Sequence, residues 1–256
     1  MSRATFNTVA IQSAGSTPGA GNKRMLLIAA ALLAAIVPAI AQTGAGAGAE
    51  LQQKVAAVKQ SVAENQQKLH RYQWKETTQL TLKGDAKPPS QSMCQYGPDG
   101  KVQKTPIGAP PPPSSGGRMK QKVIANKKEE MKDYMGQVKT LLGMYVPPDP
   151  QRIQQAVQAG KVSLNPAAGG VAQIVFKDYA LPGDQMTISF NTEAKKIASV
   201  NVNTYMDDPK DVVTLAVQFA SLPDGTNYVQ KTVLDATAKQ LVVTTTNSDY
   251  QAIGAP

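Results

Sequence analysis

Two spacings of apolar residues divide the chain. Leu51, Val55, Val58, Val62, Leu69 and Tyr72 recur at helical intervals, and Asn65 stands on the beat where another apolar residue would complete the stripe. Gln, Lys, Ala and Glu fill the positions between, so the spacing predicts a helix with one apolar face. From Arg71 to Lys83 the period drops to two. Tyr72, Trp74, Glu76, Thr78, Leu80 and Leu82 share one parity, while Arg71, Gln73, Lys75, Thr77, Gln79, Thr81 and Lys83 share the other. That alternation predicts a strand with Trp74, Tyr72, Leu80 and Leu82 on the buried side and Lys75 and Thr77 facing water. Strands over about 91–96 and 101–105 follow. The segment Gly97-Pro98-Asp99-Gly100 joins them as a turn, because Pro98 presets φ and Gly100 accepts a positive one.

The helical spacing returns after Glu129 and Glu130. Met131, Tyr134, Met135, Val138, Leu141, Leu142 and Tyr145 make one face, and Pro147-Pro148 stops it. Asp149-Pro150 places a capping side chain ahead of a proline at the first helical position, predicting a second helix that Gly160 can close. Residues 165–170 (NPAAGG) read as a loop. Six strands are then predicted at about 171–179, 185–191, 197–205, 212–219, 227–234 and 241–246. The links between them are short, which suits antiparallel neighbours. The order predicts an α+β fold: a large curved antiparallel sheet, an incomplete barrel, with an N-terminal helix and two central helices covering its concave face.

This layout resembles the lipoprotein-localisation fold of the LolA/LolB-like periplasmic carriers. The residues that carry the resemblance are the amphipathic N-terminal helix running into LHRYQWKETTQLTLKG, the strand–turn–strand CQYGPDGKVQK, the central helices and the long C-terminal meander. It covers most of residues 50–250 and is one of element order and pattern. No ligand-contacting residue is carried over from that family. A long antiparallel meander, three amphipathic helices, an export signal and the absence of a catalytic set instead predict a carrier with an apolar groove between sheet and helices. In it Val58, Val62, Met135 and Val138 meet Trp74, Leu80, Ile188 and Phe190 and hold a lipid or lipoprotein acyl chain. The competing reading is a cell-envelope module with a filled core that binds another protein through a sheet edge or the Pro-rich stretch.

Composition changes the picture at the N-terminus. Lys23 and Arg24 precede the apolar run 25–37, which ends in Pro38-Ala39-Ile40-Ala41-Gln42. A positive start, a short apolar run and a small-x-small site predict a signal peptide over 1–41, cleaved between Ala41 and Gln42. The run is short for a membrane span, which needs about 20 residues. A flexible lead-in at 42–49 and one domain over 50–256 would follow, with a Pro-rich loop at 108–117. Export predicts a periplasmic or secreted protein.

The formal net charge is +9. After the leader, the excess positive charge lies in residues 42–150, and it is concentrated in Arg118, Lys120, Lys122, Lys127 and Lys128. Clustered cations of this kind suit an anionic membrane surface. Nucleic acid is not an expected partner, because aromatic interleaving is absent and the chain is read as exported. One Cys (Cys94) and one His (His70) exclude an intramolecular disulfide and a Cys/His zinc site. Asp207, Asp208 and Asp211 lack the ligand count of a calcium loop and read as a turn. No phosphate-binding loop, dinucleotide fingerprint or HExxH occurs. The sequence therefore predicts a non-enzymatic protein with no cofactor, no metal and no catalytic residue. It fixes no oligomeric state.

Overall fold

The computed structural model describes residues 64–108, 118–145, 149–166 and 169–254. The predicted leader, the lead-in, most of the first helix with Val58 and Val62, and nearly all of the Pro-rich stretch lie outside the described residues.

Residues 64–69 are helical and lead into β1 (Tyr72–Leu82). β2 (Asp85–Ala86), β3 (Ser90–Tyr96) and β4 (Val102–Ile107) follow. Then come the helices α1 (Arg118–Leu142) and α2 (Pro150–Gln158). Seven strands complete the chain: β5 (Val162–Pro166), β6 (Val171–Lys177), β7 (Gln185–Asn191), β8 (Lys196–Tyr205), β9 (Val212–Ser221), β10 (Asn227–Ala236) and β11 (Leu241–Ala252). All belong to one 11-stranded sheet in the order β4-β3-β1-β11-β10-β9-β8-β7-β6-β5, with β2 paired to β1. Every pairing is antiparallel. The two ends of the path do not pair with each other, so the sheet is open. The fold is α+β, with a large curved antiparallel sheet.

The helices connect the two edges of this sheet. β4 is one edge and β5 the other, so the chain between them, with α1 and α2, is a strap that links the two edges. Tyr134, Val138, Leu141 and Tyr145 of this strap and Ile153 and Ala156 of α2 are buried in one cluster with Phe176, Met186, Ile188, Val200, Val213, Val217 and Leu241 of the sheet.

Three expectations need correction. α1 begins at Arg118, 11 residues before Glu129. Its start carries no acidic residue, so the usual N-terminal signal is missing, yet Arg, Met, Lys, Gln and Ala are all good helix formers. The basic stretch is thus the opening of the strap rather than a loop. Asn165 and Pro166, expected in a loop, end β5, where proline is tolerated because the strand is an edge. β11 runs six residues past the expected end, to Ala252, because β1 offers it a partner along its whole length. The turns follow the sequence reading: Gly100 has φ +67 and Gly225 has φ +82.

Candidate functional site

The concave face is built by alternation in β1 and β11. On β1 the even positions read Trp74, Glu76, Thr78, Leu80 and Leu82, and these share one side of the sheet. Leu80 and Leu82 pack against the main cluster under the helices. Trp74 does not. It forms a second cluster with Cys94 and Val102, flanked by Tyr96 and Tyr250. β11 repeats the division. Leu241 and Val243 lie opposite Leu82 and Leu80, Thr245 opposite Thr78, and Asn247 opposite Glu76. The Thr78 and Thr245 hydroxyls are 3.5 Å apart. A polar belt of Glu76, Thr78, Thr245 and Asn247 therefore separates two apolar regions on one face.

A bulge completes the second region. Between Gln73 and Lys75 the β1–β11 register shifts, with Asp249 at φ +54. One extra residue in β11 reverses its parity. Without it Asp249 would point at Trp74. With it Asp249 pairs with Lys75 on the other face, and Tyr250 stacks on Trp74 at 5.6 Å and 11°. The ion pair and a hydrogen bond hold the Asp249 carboxyl below its ordinary pKa.

The aromatic region is closed from outside by residues 64–69. Asn65 explains the missing apolar beat. Its Nδ2 donates to the Asn227 carbonyl at 2.9 Å, and its Oδ1 accepts from the Asn227 N–H at 2.6 Å. An amide side chain thus pairs with a strand end as another strand would. Leu69 is buried beside Trp74, and His70 stacks on Tyr96 at 4.4 Å. Tyr72 donates to Asp224 at 2.9 Å across the same end, which raises the phenol pKa and lowers that of the carboxyl, whose largest cause is the Thr226 N–H. A cavity of about 20 Å³ remains between Leu69, Trp74, Tyr96, Tyr228, Val229, Asn247 and Tyr250.

The titratable groups around this region are buried or paired. Cys94 is fully buried, and burial pushes its thiol up to about 12, so it carries no thiolate at neutral pH. Tyr96 is likewise pushed to about 12 by burial. Glu76 is tied to Lys104 by contacts of 2.6 and 2.8 Å. The Asp207–Asp211 segment is a turn, in which Lys210 N–H donates to Asp208 Oδ1 at 2.8 Å and Tyr134 donates to Asp211 at 3.2 Å.

The predicted groove residues fall into two groups. Val138 and Ile188 are fully buried in the main cluster, and Leu80, Met135 and Phe190 are half-buried against it. Trp74 lies beyond the polar belt in the aromatic cluster. Of the basic candidates, Lys127 is exposed, and the side chains of Arg118, Lys120, Lys122 and Lys128 lie outside the described ones. The sequence pattern did not single out Asn247, Tyr228 or Tyr250. They reach Trp74 only through the pairing of β1 with β11, about 170 residues apart in the chain.

Two solved structures are among those to which the chain is similar. A DUF1329 family protein from Desulfovibrio piger matches with TM-score 0.36 and 9% sequence identity, covering 78% of this chain and 94% of that one. A LolA superfamily protein from Nitrosomonas europaea matches with TM-score 0.34 and 10% identity, covering 77% and 94%. No family model and no curated protein matches the chain.

Proposed function

We propose that this is an exported, non-enzymatic protein that holds a lipid or lipoprotein acyl chain on the concave face, between sheet and helices. The observation that carries the reading is the rim of half-buried apolar side chains around the main cluster. Leu80, Leu82 and Val243 on the sheet side and Met131, Met135 and Met144 along the strap pack against the core without being sealed by it. Methionine side chains adapt their shape, so a strap carrying three of them can shift to admit a chain. Each buried methylene would add about 0.8 kcal/mol at most. The basic opening of α1, Arg118 to Lys128, would bring the protein to anionic headgroups at about 1 kcal/mol per cation.

A second reading is favoured by one specific observation. The aromatic cavity holds about 20 Å³, and Val138 and Ile188 are fully buried, which is the packing of a filled core. That packing suits an envelope module binding another protein. The sheet edges are poor docking strands for it, because β4 contains Pro106 and β5 contains Pro166, each lacking an N–H.

A displacement titration of a fluorescent fatty acid on delipidated protein separates the two. The carrier reading expects saturable binding that weakens at least tenfold in Met135→Asp, a half-buried position that tolerates a charge better than Val138. Absence of saturable binding at high micromolar ligand ends the carrier reading and leaves the interaction module.

A further inference from the structure

Two residues that line the cavity in the aromatic cluster each carry a polar atom with no hydrogen-bond partner among the described residues. Trp74 is 2% exposed and Asn247 is 6% exposed, and both line the cavity. Among the described residues neither Trp74 Nε1 nor Asn247 Oδ1 has a hydrogen-bond partner. Their orientation is not arbitrary. Asn247 Nδ2 donates to the Val229 carbonyl at 2.9 Å, so a reversed amide would set two oxygens against each other. That bond makes Oδ1 the free end. The indole is held by its stack on Tyr250 and its 5.4 Å contact with Tyr96. The residue with the free donor and the residue with the free acceptor thus line the same small space.

Chemistry selects the guest. An indole N–H only donates, and an amide oxygen only accepts. A carboxylate would accept from Trp74 but be repelled by Asn247 Oδ1. An ammonium would suit Asn247, but it cannot accept from Trp74 and would face the positive end of that N–H. A hydroxyl oxygen accepts and donates at once. About 20 Å³ admits one group of this size, since a single water needs roughly 10–15 Å³ on the same measure. The rings are too close to cage a quaternary ammonium, with Tyr228 only 4.4 Å from Tyr250.

We infer that the aromatic cluster is a binding site for one hydroxyl group, which accepts from Trp74 Nε1–H and donates to Asn247 Oδ1. Two sources share that chemistry: a resident water, or the hydroxyl end of an alcohol such as a glyceride. The site is independent of the acyl groove and stands whether or not that groove binds lipid.

The chain has one Trp, so its only indole signal in a ¹⁵N NMR spectrum reports this site directly. The experiment uses the full chain, delipidated, in three arms. A water cross-peak to the indole proton with the sign of a long-lived contact identifies water as the source. Failing that, a saturable shift of the indole signal with glycerol monohexanoate, and none with methyl hexanoate, identifies an alcohol. Neither result in the unaltered chain overturns the proposal, so no variant has to fold for the test to count. In Asn247→Leu the contact that was observed should disappear, and its persistence would overturn the assignment of Asn247 as the acceptor.

Discussion

The two apolar regions of the concave face solve the same packing problem in opposite ways. Under α1 and α2 the contacts are mostly aliphatic, and among the described residues no buried side-chain polar atom there is left without a partner. Asp184 accepts from the Tyr145 hydroxyl at 2.6 Å and from the backbone N–H groups of Tyr179, Ala180 and Leu181. Tyr145 also meets the Thr204 hydroxyl at 2.6 Å. At the other end, Trp74, Tyr96, Tyr228 and Tyr250 tilt and stack around a cavity, and a donor and an acceptor are left over. A region whose buried polar groups are paired needs no polar guest to satisfy them. One with a donor and an acceptor left over has room for such a guest in its hydrogen bonding.

The strongest way to break this contrast is to remove a ring from the region that should be filled. Phe176 is fully buried against α1, α2 and the sheet. Phe176→Ala should cost about 3–5 kcal/mol in chemical denaturation, because a packed site cannot collapse around the void. A cost under about 1 kcal/mol would show that the helix-covered region is loose and that the acyl groove is already open there.

A smaller effect tests the polar bookkeeping of the same region. Tyr145→Phe keeps the ring but removes the hydroxyl shared by Asp184 and Thr204. The expected loss is about 1–3 kcal/mol, since a bond to a buried carboxylate is lost and Thr204 is stranded. Asn65→Ala should lose about 1–2 kcal/mol by leaving the Asn227 N–H and carbonyl without their clamp. Asn65→Leu restores the apolar beat of the helix and should not recover that loss. Recovery would mean that burial, not the clamp, fastens residues 64–69 to the aromatic end.

Much of this arrangement was legible in the chain. The Gly97–Gly100 turn and the Asp149 cap depend on neighbours a few residues apart and appear as expected, with Gln151 N–H donating to Asp149 Oδ1 at 2.8 Å. Of the expected β1 parity only Trp74 is buried, while Tyr72, Leu80 and Leu82 are half-buried, as are Lys75 and Thr77, which were expected to face water. Even the polar belt was visible, because Glu76 and Thr78 interrupt the apolar parity of β1. What it divides was not. Asn-Ser-Asp-Tyr carries no glycine to announce a bulge at Asp249, and no local pattern pairs β1 with β11. The aromatic site is a product of that pairing, so its members looked like unrelated residues. The basic start of α1 was missed for a different reason: its propensity is favourable, but it lacks the capping and acidic residues by which helix starts are recognised.

The subtlest test compares how pairs of residues depend on each other in the two regions. Trp74→Phe keeps most of the stacking but removes the N–H, and Asn247→Leu removes the acceptor at similar size. If one hydroxyl group joins them, either single change strands it with one partner gone, and the second change then has less left to remove. Replacing both ends of a polar contact by apolar groups is close to neutral, whereas replacing one is not. The Val229 carbonyl loses its donor in Asn247→Leu alone and in the double variant equally, so that cost cancels from the cycle. The double variant should therefore be more stable than the sum of the singles predicts by about 0.5–1 kcal/mol, measured by urea denaturation. The corresponding cycle on Tyr145 and Thr204, which touch directly, should give a coupling at least as large. If Trp74 and Asn247 instead add to within about 0.3 kcal/mol, as independent sites do, nothing bridges them, and the aromatic end holds no hydroxyl group.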